Sequence, residues 1–201
     1  MRSWEKAGMT WIVDMDALPF DFPTHRHDAV FWERLGRAVA TYGFLEEILG
    51  KAIYSFTATR RYEATEIDAA FEKWLPTLER ALTNPLGNLI DQYGKSVREH
   101  PDAVVENLDV LLDHLRKSAR LRNVLCHGSW SAPDENGASV PLFVDQKLNV
   151  FDAPIDCEFL DQVQRHVAEV SCAVISSVTQ MGWQFPGSSD PDPSFQRSLQ
   201  D

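Results

Sequence analysis

From Asp28 onward the apolar residues Phe31, Trp32, Leu35, Val39, Tyr42, Leu45, Ile48, Leu49, Ala52, Ile53 and Phe56 recur at steps of three and four. That period places side chains on one buried face of an α-helix, so the spacing predicts a long helix over about 28 to 57. A stripe of this length needs other elements packed along it, and the chain has to be organised around that need.

The rest of the sequence supplies candidates of the same kind. Thr65 with Asp68 three residues on resembles a capping box, and Phe71, Trp74, Leu75, Leu78 and Leu82 follow at helical spacing, with Pro76 as an expected kink. Asn84-Pro85 breaks the chain before a shorter helix carrying Leu86, Leu89, Ile90, Tyr93 and Val97. Pro101 suits the first position of a fourth helix that holds Val104, Val105, Leu108, Leu111, Leu112, Leu115, Leu121, Val124 and Leu125, with Gly128 placed to cap its end. "SAPDENGASV" is turn chemistry, and "PLFVDQKLNVF" alternates well enough for a short β-hairpin. A last helix from about Cys157 to Met181 presents Phe159, Leu160, Val163, Val167, Val170, Val174, Ile175 and Val178, and Gly182 ends it. The expected fold class is all-α, an up-and-down bundle of about five helices with a small β-hairpin insertion before the last. Residues 1–27 read as an N-terminal extension, 28–185 as the helical domain and 186–201 as a flexible tail.

Composition narrows the function classes. A chain of 201 residues suits one core, and no apolar run approaches the roughly 18 residues that a membrane span requires. The start carries acids and prolines where a signal peptide would be unbroken apolar, so a cytoplasmic location with no membrane partner is expected. Cys126, Cys157 and Cys172 are odd in number and lack paired spacing, which suggests reduced thiols rather than a disulfide framework or a zinc site. The net charge of −11 argues against coating nucleic acid through the overall field. Its distribution is uneven: residues 114–130 hold four Lys/Arg and no Asp/Glu, a local +4 against −15 elsewhere. Any anionic ligand is therefore expected at this one segment.

That segment reads "RKSARLRNVLCHGSW", Arg116 to Trp130. Arg122 and His127 are five residues apart, so on an unbroken helix they would point about 140° away from each other, whereas Asn123 and His127 would share a face. The arginine and the histidine converge only if the helix ends near Cys126 or if a second copy of the chain completes the site. Either way His127 stands at a helix C-terminus, where the dipole favours the imidazolium and the side chain can take or give a proton near neutral pH.

"RNVLCH" fits the R-x4-6-H motif of the HEPN superfamily, and "RNVLCHGSW" resembles the "RNxxAHGxW" form common in bacterial members, with Cys126 where alanine is frequent. "YGFLEEILG", Tyr42 to Gly50, is similar to a segment of their first long helix. The resemblance covers roughly Asp28 to Met181, though its specific content is these two strings. It implies a helical homodimer with facing motifs and, in active members, a metal-independent endoribonuclease that needs no cofactor. In that reading His127 abstracts the 2′-OH proton of a ribose, Arg122 holds the phosphate, and Asn123 orients one or the other. Arg116, Lys117 and Arg120 would line the RNA backbone. The products would be a 2′,3′-cyclic phosphate and a 5′-hydroxyl. Such motifs occur in toxin and prokaryotic defence proteins, which implies RNA and an antitoxin or defence-locus protein as partners, while many members use the bundle only for binding.

Plainer readings stand beside these. His127-Gly128 reads equally as a helix stop, with Arg122 paired to an acid on a neighbouring helix, for which Glu46 or Glu47 is available. Arg116 and Lys117 also suit the negative end of the helix dipole. Trp130 suits a plug over the bundle end better than a base-stacking platform, and Phe31, Trp32 and Tyr42 suit the core. His25-x-His27 lacks a third metal ligand at useful spacing and reads as a solvated helix start, while His100, His114 and His166 are scattered and read as structural. A non-catalytic interaction module and a nucleotide-binding protein are the rival classes.

Overall fold

Asp28 opens the first helix: its Oδ1 accepts the Phe31 N–H at 2.8 Å, satisfying a donor that the helix start leaves free. In the computed structural model, which describes residues 12–60, 63 and 65–188, this helix, α1, covers Ala29–Ala58. Its stripe is the spine of the core, with Phe31, Tyr42, Leu45, Leu49, Ile53 and Phe56 all buried. The other helices are α2 (Ile67–Thr83), α3 (Leu86–Glu99), α4 (Leu108–His127) and α5 (Cys157–Thr179). α5 packs most extensively on α1, followed by α3, α2 and α4. Asp156 caps α5 as Asp28 caps α1, and Gly182 turns the chain away at φ 77°, a conformation that only glycine adopts freely. None of these helices is long and apolar enough to cross a membrane.

Side-chain pairs give the helix directions. Asp91–Arg116 and Arg98–Asp109 show α3 and α4 running antiparallel. Arg34–Asp161 near the starts of α1 and α5, and Phe56–Trp183 near their ends, show those two running the same way. The buried Tyr93 hydroxyl donates to Ser177 Oγ at 2.8 Å and ties α3 to α5; burial pushes the phenol up to about 12, so it stays protonated.

Two expectations from the sequence are corrected. The fourth helix begins at Leu108 rather than at Pro101: Asn107 takes a left-handed φ of 56°, which stops a right-handed helix from propagating back through it. The β-hairpin over 141–151 is not formed; among the described residues there are only isolated antiparallel bridges, Ser129 with Leu142, Ser139 with Ile155 and Val144 with Val150. Within the segment the pairing is limited to the Val144–Val150 bridge, with the Asp145 N–H donating to Asn149 O and the Phe151 N–H to Phe143 O, too short a run to make two strands. In α2, helical spacing does not become burial. Phe71 and Leu75 are 56% and 41% exposed, because α2 leans on α1 through Trp74, whose Nε1–H donates to Thr57 Oγ1 at 2.8 Å, and leaves its other side to solvent. The side chains of Leu78 and Leu82, and the tail from residue 189 on, lie outside the described residues.

His100 is buried against the rings of Phe56 and Trp183. Its Nδ1 accepts the Asp102 N–H at 3.2 Å and its Nε2 lies 3.4 Å from Thr59 Oγ1, a pattern that suits the neutral ring. Burial, the leading cause, lowers its pKa; the unfolded chain then binds the extra proton more readily, so stability is full above about 6.5 and falls as pH drops below it. Thermal melts of wild type and His100→Gln between pH 7.5 and 5 check this: the wild type is expected to lose more stability over that range than the variant.

Candidate functional site

α4 is helical through His127, and the Gly128 N–H still donates to Val124 O at 2.8 Å. Gly128 then leaves in an extended conformation, φ −69° and ψ 140°, rather than the left-handed one. Its lack of a side chain matters for space: a Cβ there would stand 2.6 Å from Val124 O and 2.8 Å from Pro141 Cβ. The helix thus ends one residue past Cys126, and within one chain the side chains of Arg122 and His127 leave the axis about 140° apart.

His127 and Asn123 are exposed and Arg122 is half-buried. Among the described residues the His127 ring has no hydrogen bond, ion pair or ring contact. Arg122 Nη2 lies 3.6 Å from Glu46 Oε1 on α1, and its Nη1 donates a long contact, 3.4 Å, to Asn123 Oδ1. One turn away along both helices, Cys126 lies close enough to Tyr42 to disfavour its phenolate, although burial is the larger reason that this phenol is pushed up. Tyr42 with Cys126 and Glu46 with Arg122 thus form a ladder between antiparallel α1 and α4.

The Tyr42 hydroxyl is buried and, among the described residues, has no hydrogen-bond partner. A buried polar group without a partner costs about 1–3 kcal/mol. Tyr42→Phe removes it with little change of shape, and denaturant unfolding is expected to show a midpoint equal to or above that of the wild type.

In three dimensions the local +4 is not a free cationic patch. Arg116 pairs with Asp91 on α3 at 2.8 Å and Lys117 with Asp113 one turn back at 2.7 Å, with the hydrogen bond to Lys117 the main reason that the Asp113 carboxyl lies below its usual range. Glu46 faces Arg122, and Arg120 is within electrostatic reach of Asp145. Three of the four cations thus have an acid within ion-pair distance, and among the described residues Arg120 has none. These pairs are largely exposed and worth little individually, so a phosphate can compete for the cations, but nothing here steers anions from afar.

Trp130 closes the bundle end, packed edge-on against Phe31 with ring centroids 5.0 Å apart. His27 belongs to the same cluster: it stacks on Phe31 at 3.9 Å, and its Nε2 lies 3.0 Å from Ser131 O. His114 and His166, far apart in the sequence, meet across the groove between α4 and α5 with ring centroids 5.5 Å apart. Among the described residues no His/Cys/Asp/Glu cluster has the make-up of a metal site.

Beside Asn123 the chain folds back over α4. The segment 143–151 and the outer face of α4 enclose a concavity of about 230 Å³, lined by Lys117, Arg120 and Asn123 on one side and by Phe143, Asp145 and Phe151 on the other. The sequence reading did not assign these last three; the signal was present in the alternation, which puts 143, 145, 149 and 151 on one side of the segment. No family model matches the chain, and no curated protein or solved structure matches it.

Proposed function

We propose that this chain is an RNA-cleaving protein of HEPN type, an up-and-down helical bundle that acts as a homodimer and independently of metal. The observation that carries the reading is the exposed, unpaired imidazole of His127 in the last turn of α4, one helix turn from Asn123, within an R-x4-H string whose arginine lies 3.6 Å from Glu46 of α1. In the reaction His127 takes the proton of the ribose 2′-OH; the 2′-oxygen bonds to phosphorus as the bond to the 5′-oxygen breaks, and that oxygen takes a proton from water. Arg122 stabilises the charge on the phosphoryl oxygens.

Because the two side chains diverge within one chain, the working pair spans the two-fold axis: Arg122 of one protomer and His127 of the partner subunit. Apolar surface suited to such contact lies close by. Leu142, Val144 and Leu148 are 69%, 49% and 81% exposed, on the segment whose Leu142 pairs with Ser129, two residues beyond His127. An antitoxin or another protein from a defence locus is the partner class that this reading implies.

The test is to incubate the purified chain with mixed single-stranded RNA, with and without EDTA, and to analyse the ends. The expected result is 2′,3′-cyclic phosphate and 5′-hydroxyl ends in both conditions. A specific observation favours a second reading, a non-catalytic interaction module: Glu46 already occupies one side of Arg122. Absence of cleavage by folded dimer against diverse RNAs would favour it.

A further inference from the structure

The concavity between α4 and the 143–151 segment has two kinds of wall. Leu121, Val124, Phe143 and Phe151 make it apolar inside, and Arg120, Asn123 and Asp145 stand around it. At about 230 Å³ it falls below the roughly 300 Å³ at which sites for whole small molecules begin, so it has room for one planar ring and not for a nucleotide.

Backbone and side-chain hydrogen bonds hold the wall opposite α4. The Phe151 N–H donates to Phe143 O at 3.0 Å, and Val144 pairs with Val150, so Phe143 and Phe151 stand opposite each other on one side of the pleat. Asp145 fixes the turn that follows: its Oδ1 accepts the backbone N–H groups of Lys147 and Asn149 at 2.8 and 2.9 Å, and its Oδ2 accepts Asn149 Nδ2 at 2.8 Å. These bonds, the Asn149 side chain foremost, hold the carboxyl below its usual range, so it is ionised and only accepts.

The geometry points to a base pocket: it takes one unpaired RNA nucleobase bearing an exocyclic amino group, stacked on Phe143 and Phe151, with the adjoining phosphate on Arg120. The amino group meets the remaining acceptor capacity of Asp145. Uracil offers carbonyl oxygens in that place and is disfavoured beside a carboxylate. Arg120 is suited to the phosphate, because among the described residues it forms no ion pair within 4 Å, whereas Lys117 is held by Asp113 at 2.7 Å. Asn123 links this pocket to the cleavage site, since it lines the concavity and its Oδ1 meets Arg122 Nη1 at 3.4 Å. A base seated here thus lays the strand along α4 next to Arg122.

This pocket rests on the RNA reading, and the experiment separates the two. Fluorescence anisotropy measures binding of short oligoadenylate, oligocytidylate and oligouridylate to the His127→Ala chain, used to prevent cleavage, and to the same chain carrying Phe151→Ala, Phe151→Tyr, Asp145→Asn or Arg120→Ala. Oligouridylate is expected to bind most weakly to the parent. Phe151→Ala is expected to weaken the preferred oligomer about 10-fold or more, the size of one lost base–aromatic stack, while Phe151→Tyr retains it. Asp145→Asn is expected to narrow the gap to oligouridylate. Arg120→Ala, at an exposed position that leaves the fold intact, is expected to weaken all three oligomers evenly and reduce the salt slope by about one. RNA binding by the parent that keeps the same affinities and base order in Arg120→Ala and in folded Phe151→Ala, or in Asp145→Asn where Phe151→Ala does not fold, overturns the pocket and leaves the RNA reading standing. No binding of any oligomer by the parent overturns both.

Discussion

His127→Ala is expected to lower RNA cleavage by about 10²-fold or more while leaving the fold and RNA binding in place. A general base contributes about that much to a rate, and its contribution is made in the transition state. The fold is expected to survive because the ring is exposed and has no hydrogen bond, ion pair or ring contact among the described residues. Arg122→Ala is expected to be similarly inactive with only a small change in stability, since its pair with Glu46 is loose and one-third exposed on each side.

The divergence of the two side chains adds a sharper test. If the working pair spans the two-fold axis, then neither variant is active alone, but a heterodimer of the two carries one site with both groups intact. Random reassortment of equal amounts makes half of the dimers mixed, so about a quarter of wild-type activity is expected to return on mixing. Cleavage by the mixture no faster than by either variant would show that Arg122 and His127 work within one chain or not at all. Sedimentation of the wild type as a monomer at micromolar concentration would count against the same arrangement.

Leu49→Ala is expected to cost about 2–5 kcal/mol, a large share of the roughly 5–15 kcal/mol by which domains are stable. Leu49 is 0% exposed on α1, so truncation leaves a cavity that the surrounding helices can fill only in part. Leu75→Ala removes the same atoms from an apolar position of α2 and is expected to change stability by no more than about 0.5 kcal/mol, because that side chain is 41% exposed. Urea unfolding of both variants checks the pair, and equal shifts in midpoint would contradict the burial of α1 or the exposure of α2.

That contrast marks how far the residues alone were legible. The stripes on α1 and α2 have the same period, and period reports only which side chains share a face. Whether the face is covered depends on how many elements reach it: four helices pack on α1, whereas α2 has its main contact with α1. The early start expected for the fourth helix failed for a smaller reason, since the left-handed turn at Asn107 belongs to a single residue and leaves no mark on the apolar spacing around it. In the 141–151 segment the alternation was real and places Phe143 and Phe151 on one side, but alternation does not say which segment each residue will pair with.

The sequence by itself determined the approximate extent of the helices, the position of His127 in the last turn before Gly128, and the five-residue spacing that sets Arg122 and His127 apart. All of these follow from interactions that reach no further than about one helical turn. Only the tertiary structure decided that the +4 of residues 114–130 is met by Asp91, Glu46 and Asp145 from other parts of the chain, that His114 lies against His166, and that Asn123 and Arg120 share a concavity with two phenylalanines. Charge pairing, ring contact and cavity shape depend on distance in space, and the chain sets those distances only when its helices pack.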